Sequence, residues 1–249
     1  MKRVEMFGLG GFGEIGPGDS IAKLIVDACS RNNVVLEPDD VFVIAQKIVS
    51  KSEGMLLRLD AVMVSDYARE LSRELDKDPA LVELILGQSR RIVRKGGRAM
   101  IVETHHGFIC ANAGVDCSNV GLGNAALLPK DSDASARKIR AEIQELGGCS
   151  PGIIISDSFG RPWRVGTVDV AVGIAGLKPI RDERGTKDHY GYELRAAVSA
   201  IADEIASAAE LVMRKKEGLP VVLVRGCEIE KEEGSVKELL RPEAEDLFR

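Results

Sequence analysis

The stretch "PGIIISDSFGRPWR", residues 151–164, sets the frame for the chain. A short apolar run bounded by Pro-Gly predicts a buried strand, and it ends in Asp157 and Ser158. Gly160, Arg161 and Arg164 follow closely. Outward from it, "TVDVAVGIAGLKPI" (167–180) reads as strand plus turn. "DSDASARKIRAEIQELGG" (131–148) reads as an amphipathic helix with a glycine stop. "YELRAAVSAIADEIASAAELVMRKK" (192–216) predicts the longest helix, and "LPVVLVRG" (219–226) a late strand.

The N-terminal half alternates in the same way. "RVEMF" (3–7) is a first strand and "GLGGFGEIGPGD" (8–19) a glycine-rich loop. Asp19 or Ser20 caps a helix through "IAKLIVDACSRN" (21–32). "DDVFVIAQKIVSKSEG" (39–54) predicts a buried strand whose end carries Gln46, Lys47, Ser50 and Lys51. Helices follow in "SDYARELSREL" (65–75) and in "DPALVELILGQS" (78–89), the second started by Pro79. "RAMIVETHHGFICANAGVD" (98–116) predicts a hairpin turning at residues 105–107. The alternation implies a mixed α/β architecture, and the length suits a single domain over residues 1–249, either one large unit or two intimately joined lobes. The strand order does not follow from the pattern.

Composition narrows the function. Hydrophobic residues are 45% of the 249, enough for a sizeable core. The net charge of −5 argues against a nucleic-acid or membrane-surface binder, and aromatics at 4% are too few for base-stacking platforms. Five cysteines without a CxxC pair predict reduced thiols rather than disulfides or structural zinc. There is no long apolar segment, so a cytoplasmic protein is expected.

Gly8, Gly10 and Gly13 fit G-x-G-x-x-G after a strand, with Asp39 or Asp40 at the distance of a dinucleotide fingerprint. A nicotinamide or flavin oxidoreductase is therefore the alternative reading. Against it, Gly16, Pro17 and Gly18 separate the motif from the helix whose amides should meet the pyrophosphate. No G-x-x-x-x-G-K-[ST] occurs. His105 and His106 read as turn residues, and Cys110 and Cys117 have no base partner.

Asp116, in "ANAGVDCSNV" (111–120), and Asp157 stand at two strand ends. Two carboxylates beside a hydroxyl (Ser158) or amide (Asn119) make a hard oxygen site suited to magnesium or manganese shared with phosphates. The competing reading is that each Asp caps a turn. "RDERGTKDHYG" (181–191) is either a surface excursion or a substrate loop.

Taken together, "FICANAGVDCSNV", "IIISDSFGRPWRVG", "VAVGIAGLKPI", "RGTKDHYGYEL" and "IADEIASAAELVM" resemble the coenzyme F420:L-glutamate ligase (F420 gamma-glutamyl ligase) family. "GPGDSIAKLI", "VIAQKIVSKSEG" and the closing "RPEAEDLF" are similar too, so the resemblance covers the chain in order. It implies a GTP-dependent ligase that adds L-glutamate to the lactyl carboxylate of the coenzyme F420 precursor and then extends a gamma-linked tail. It also implies Mg2+ or Mn2+, stimulation by K+, an intertwined homodimer, and an unusual mixed α+β fold that is not a Rossmann domain. Carried onto this sequence, Asp116, Asp157 and Ser158 are metal ligands, Ser158 standing where the family usually has Thr. Phe12, Gly13, Glu14, Ile15, Gln46, Lys47, Lys51 and Asn119 are nucleotide contacts. So is the turn Met213, Arg214, Lys215, Lys216, Glu217, Gly218 and Leu219. That turn departs from the pattern: Arg214 and Lys215 replace a glycine and a metal-bound acid or amide, so Glu217 or water takes over. No residue declares itself as the general base.

Overall fold

The computed structural model describes residues 1–247; the Phe248 that closes the last quoted motif lies outside the described residues. In chain order the elements are β1 (Glu5–Leu9), α1 (Ile21–Arg31), β2 (Val41–Ala45), α2 (Gln46–Ser52), β3 (Leu56–Arg58), α3 (Asp66–Leu75) and α4 (Pro79–Gly87). Then come β4 (Ser89–Gly96), β5 (Ala99–Thr104), β6 (Ile109–Ala111), β7 (Asn124–Ala126), α5 (Ser132–Gly147), β8 (Gly152–Arg161) and β9 (Arg164–Ala175). The chain continues through β10 (Arg181–Asp182), β11 (Val198–Ser199), α6 (Ile201–Met213) and β12 (Val221–Arg225). The architecture is mixed α/β, as expected.

The main sheet has the order β1-β12-β2-β8-β9. Only β2 and β8 pair in parallel; every other neighbour in it is antiparallel. Phe42, Val43 and Ile44, Ile153 to Ile155 and Val222 to Val224 are all buried. Consecutive strand residues point to opposite faces, so unbroken burial means both faces are covered. Helices α1 and α5 pack together, with α5 on β8 and β9, while α6 crosses β9, β12 and β1. A second hydrophobic core gathers Leu71, Leu75, Val82, Ile85, Met100 and Val102 from α3, α4 and β5, beside the small sheet β4-β5-β6.

Local chemistry explains the element ends. The Ser20 hydroxyl accepts the Lys23 N–H and caps α1, Asp78 caps α4 with Pro79 at its start, and Gly148 ends α5 in the left-handed conformation. The hairpin turn falls at residues 105–107, with Gly107 at φ +98.

Three expectations are corrected, and the alternative dinucleotide reading fails. Gln46 to Lys51 are helical: β2 passes into α2 with no loop between them. Strand β8 does not stop at Asp157 but runs on to Arg161 and turns into β9. The longest helix among the described residues is α5, because residues 192–200 are not helical and β11 within them pairs with β10. Gly8 and Gly10 belong to no dinucleotide fold: among the described residues β1 is an edge strand whose one neighbour, β12, is antiparallel. A Cβ on Gly8 would come within 2.9 Å of Leu219 and Val212, so this glycine admits the turn after α6 rather than a pyrophosphate.

Candidate functional site

The site follows from a mismatch in strand length. Strand β2 ends at Ala45 opposite Ser156, whereas its parallel neighbour β8 continues through Asp157 and Ser158. Ligands of parallel α/β strands collect beyond their carboxyl ends, and here a cavity of about 760 Å³ opens. Its wall takes residues 11–15 after β1, the start of α2, Asp116 and Asn119, Ser156 to Ser158, and residues 213–216 and 218–220 after α6.

Nearly every residue singled out from the sequence stands on that wall. Phe12, Gly13, Glu14, Ile15, Gln46, Lys47, Lys51 and Asn119 line it, as do Met213, Arg214, Lys215, Lys216, Gly218 and Leu219. Asp116, Asp157 and Ser158 line it too. Glu217 does not; it pairs with Arg214 at 3.5 Å. Nor do Arg161, Arg164 or residues 181–191 reach the wall. Ser156, Asp169 and Glu210 line the cavity without having been expected there. The signal for Asp169 was its place in β9 directly opposite Ser158, which needs the hairpin register.

Asp116 is set by a strained turn. Asn112, Ala113 and Gly114 are all left-handed, at φ +54, +56 and +70, and the Asp116 backbone then exchanges hydrogen bonds with Ala126. A left-handed alanine is costly and persists where surroundings over-determine it. The Asp116 carboxylate meets Lys47 Nζ at 2.7 Å and accepts the Ser118 backbone N–H at 2.7 Å. Burial acts to raise its pKa, but the Lys47 and Ser118 hydrogen bonds outweigh it and hold the group below the ordinary value.

Asp157 is the opposite case. Burial pushes its pKa up to about 7, helped by the negative charges of Asp169 and Asp116 and opposed by the Ser158 N–H and by Lys47. Lys51 reaches Glu14 at 2.7 Å, and the Asn119 side chain donates a long 3.4 Å bond to the Lys215 carbonyl, joining two walls. Gln46 is buried; its Oε1 accepts the Ser50 hydroxyl, while its Nε2 has no acceptor among the described residues. A buried orphan donor on a cavity wall fits a ligand acceptor.

Among the described residues, no three His, Cys, Asp or Glu side chains close into a metal cage. The donor set still suits a magnesium-like ion, which uses one or two carboxylates and takes its remaining oxygens from water and substrate phosphates. Burial above all, with a smaller push from Asp169 and Asp116, disfavours the ionised form of Asp157, and a cation beside it would stabilise that form. No helix among the described residues is long and apolar enough to cross a membrane.

Comparison with known proteins identifies the family. Residues 11–226 match the model of the F420-0:Gamma-glutamyl ligase family. A protein of Methanothermobacter thermautotrophicus named coenzyme F420:L-glutamate ligase is 46% identical over 249 residues, 99% of each chain. One of the same name from Methanocaldococcus jannaschii is 46% identical over 86% of each chain. Another, from Archaeoglobus fulgidus, is 40% identical over 99% of this chain and 97% of its own. The chain belongs to the F420-0:Gamma-glutamyl ligase family.

Proposed function

We propose that this member of the F420-0:Gamma-glutamyl ligase family is a coenzyme F420:L-glutamate ligase that spends GTP to join L-glutamate to the precursor carboxylate. The observation that carries the reading is the cavity beyond β2 and β8, whose wall holds two carboxylates, Asp116 and Asp157, together with Lys47, which pairs with Asp116, and Lys51. A carboxylate does not form an amide unaided, because its oxygen is a poor leaving group. Transfer of the γ-phosphoryl group from GTP gives an acyl phosphate; the glutamate α-amine attacks its carbonyl carbon and phosphate leaves. GDP, phosphate and the gamma-glutamyl product result, and repetition extends a gamma-linked tail.

Each wall has a part. Lys47 and Lys51 neutralise phosphate oxygens, the turn at Arg214, Lys215 and Lys216 adds positive charge, and the orphan amide of Gln46 meets an acceptor of the nucleotide. Asp116, Asp157 and Ser158 would hold Mg2+ or Mn2+, which would supply positive charge to offset that of the phosphoryl group. K+ is an activator in this reading. Holding the carboxylate in line with the γ-phosphorus supplies much of the acceleration.

The protein also acts as a homodimer. Trp163 and Val165 at the β8–β9 tip, with Tyr190 and Tyr192 in the following excursion, are exposed large side chains that a second copy would cover. Incubation with GTP, MnCl2, KCl, glutamate and precursor, followed by mass spectrometry, tests the function. Stepwise glutamyl additions with matching GDP release are expected; none, beside an active control enzyme, rejects it.

A further inference from the structure

Asp169 is buried on β9, directly opposite Ser158 in the β8–β9 ladder, and it lines the cavity. Ser156 and Ser158 are two residues apart on β8 and so share a face of the strand. The Ser158 hydroxyl meets Asp169 Oδ1 at 2.7 Å, and the Ser156 hydroxyl meets Oδ2 at 2.9 Å. The Asp169 carbonyl is held in turn by the Ser207 hydroxyl of α6 at 2.7 Å. An ionised carboxylate only accepts, so both serines must donate to it. Their protons are therefore turned inward, and what each hydroxyl offers the cavity is a lone pair.

We propose that Asp169 is a positioning residue that fixes the rotamer and proton of Ser158, so that the Ser158 oxygen faces the divalent cation as an acceptor. This rests on the metal–nucleotide reading of the cavity. An Asn at the position would donate one amide hydrogen towards a serine, turn a hydroxyl proton into the cavity and set a dipole against the cation. Groups that orient a metal ligand typically change affinity about 10–100-fold when replaced.

The test is the dissociation constant of Mn2+, read by electron paramagnetic resonance of the free ion, with a non-hydrolysable GTP analogue present. Asp169→Asn is expected to weaken Mn2+ at least tenfold, and Asp169→Glu, which keeps the charge but displaces it, to shift it the same way. In a Ser158→Ala background Asp169→Glu, which keeps the negative charge, should not weaken Mn2+ further, whereas a merely structural role would add its full effect there. Wild-type affinity in a folded Asp169→Asn or Asp169→Glu protein, or full additivity of Asp169→Glu with Ser158→Ala, overturns the assignment. Failure of the wild-type protein to take up Mn2+ with nucleotide overturns the metal–nucleotide reading itself, and this inference with it.

Discussion

Lys47 Nζ lies 2.7 Å from Asp116 Oδ2, so the helix that follows β2 reaches across the cavity to the strained turn after β6. The same ammonium is 2.6 Å from the Ser118 hydroxyl. Lys47 thus neutralises Asp116, and in the proposed function it would also stand beside the nucleotide phosphates. Lys47→Met should keep the fold, raise the Asp116 pKa, and reduce kcat/KM for GTP by about 10²–10³-fold. Steady-state kinetics with GTP varied at saturating glutamate and precursor provide the check.

Asp116→Asn and Asp157→Asn should each lower turnover by orders of magnitude while circular dichroism stays native, because the charge that would hold the cation is gone. Near-normal GDP release in either variant would rule out the assignment of these carboxylates as metal ligands.

The raised pKa of Asp157 makes a second, independent statement about stability. Its folded value of about 7 lies above that of the unfolded chain, so between these pH values the folded state binds more protons. Stability of the metal-free protein therefore falls as pH rises from about 4 to 7 through this group, and Asp157→Asn removes that fall. Melting curves across the window should show the variant gaining on wild type as pH rises. Mn2+ affinity should move the opposite way in the wild type, weakening below pH 7 as protons compete for the site.

Two structural substitutions test the frame that carries the site. Asp40 is fully buried, and Arg225 binds its two oxygens at 2.7 and 2.8 Å. Arg225→Ala leaves that charge unpaired and should cost about 3–5 kcal/mol in denaturant unfolding. At Gly173 a Cβ would stand 2.5 Å from the backbone of Ser132, where α5 crosses β9, so Gly173→Ala should cost about 1–3 kcal/mol.

Much of this was legible in the chain because its signals are local. Ser20, Pro79 and Gly148 mark helix ends through short-range hydrogen bonding and backbone preference, and they sit where expected. The passage from β2 to α2 was not legible: Ala45 supplies no capping side chain, and Ile48 and Val49 continue the apolar run of the strand. The polar residues after the isoleucines predict a strand end at Asp157 and Ser158, yet β9 carries β8 onward through them. Asp169 stayed hidden for a related reason. Its partners Ser156 and Ser158 lie on another strand, and only the hairpin register brings them together.

The central claim is that the precursor carboxylate is activated by phosphoryl transfer and then captured by glutamate. Precursor carrying oxygen-18 in that carboxylate, turned over with GTP, Mn2+ and glutamate, tests it most directly. One labelled oxygen is predicted to appear in the released inorganic phosphate for each first glutamyl unit gained by the product, both read by mass spectrometry. Glutamyl product formed with no label in the phosphate, or GTP cleaved with no glutamyl added, would contradict the account.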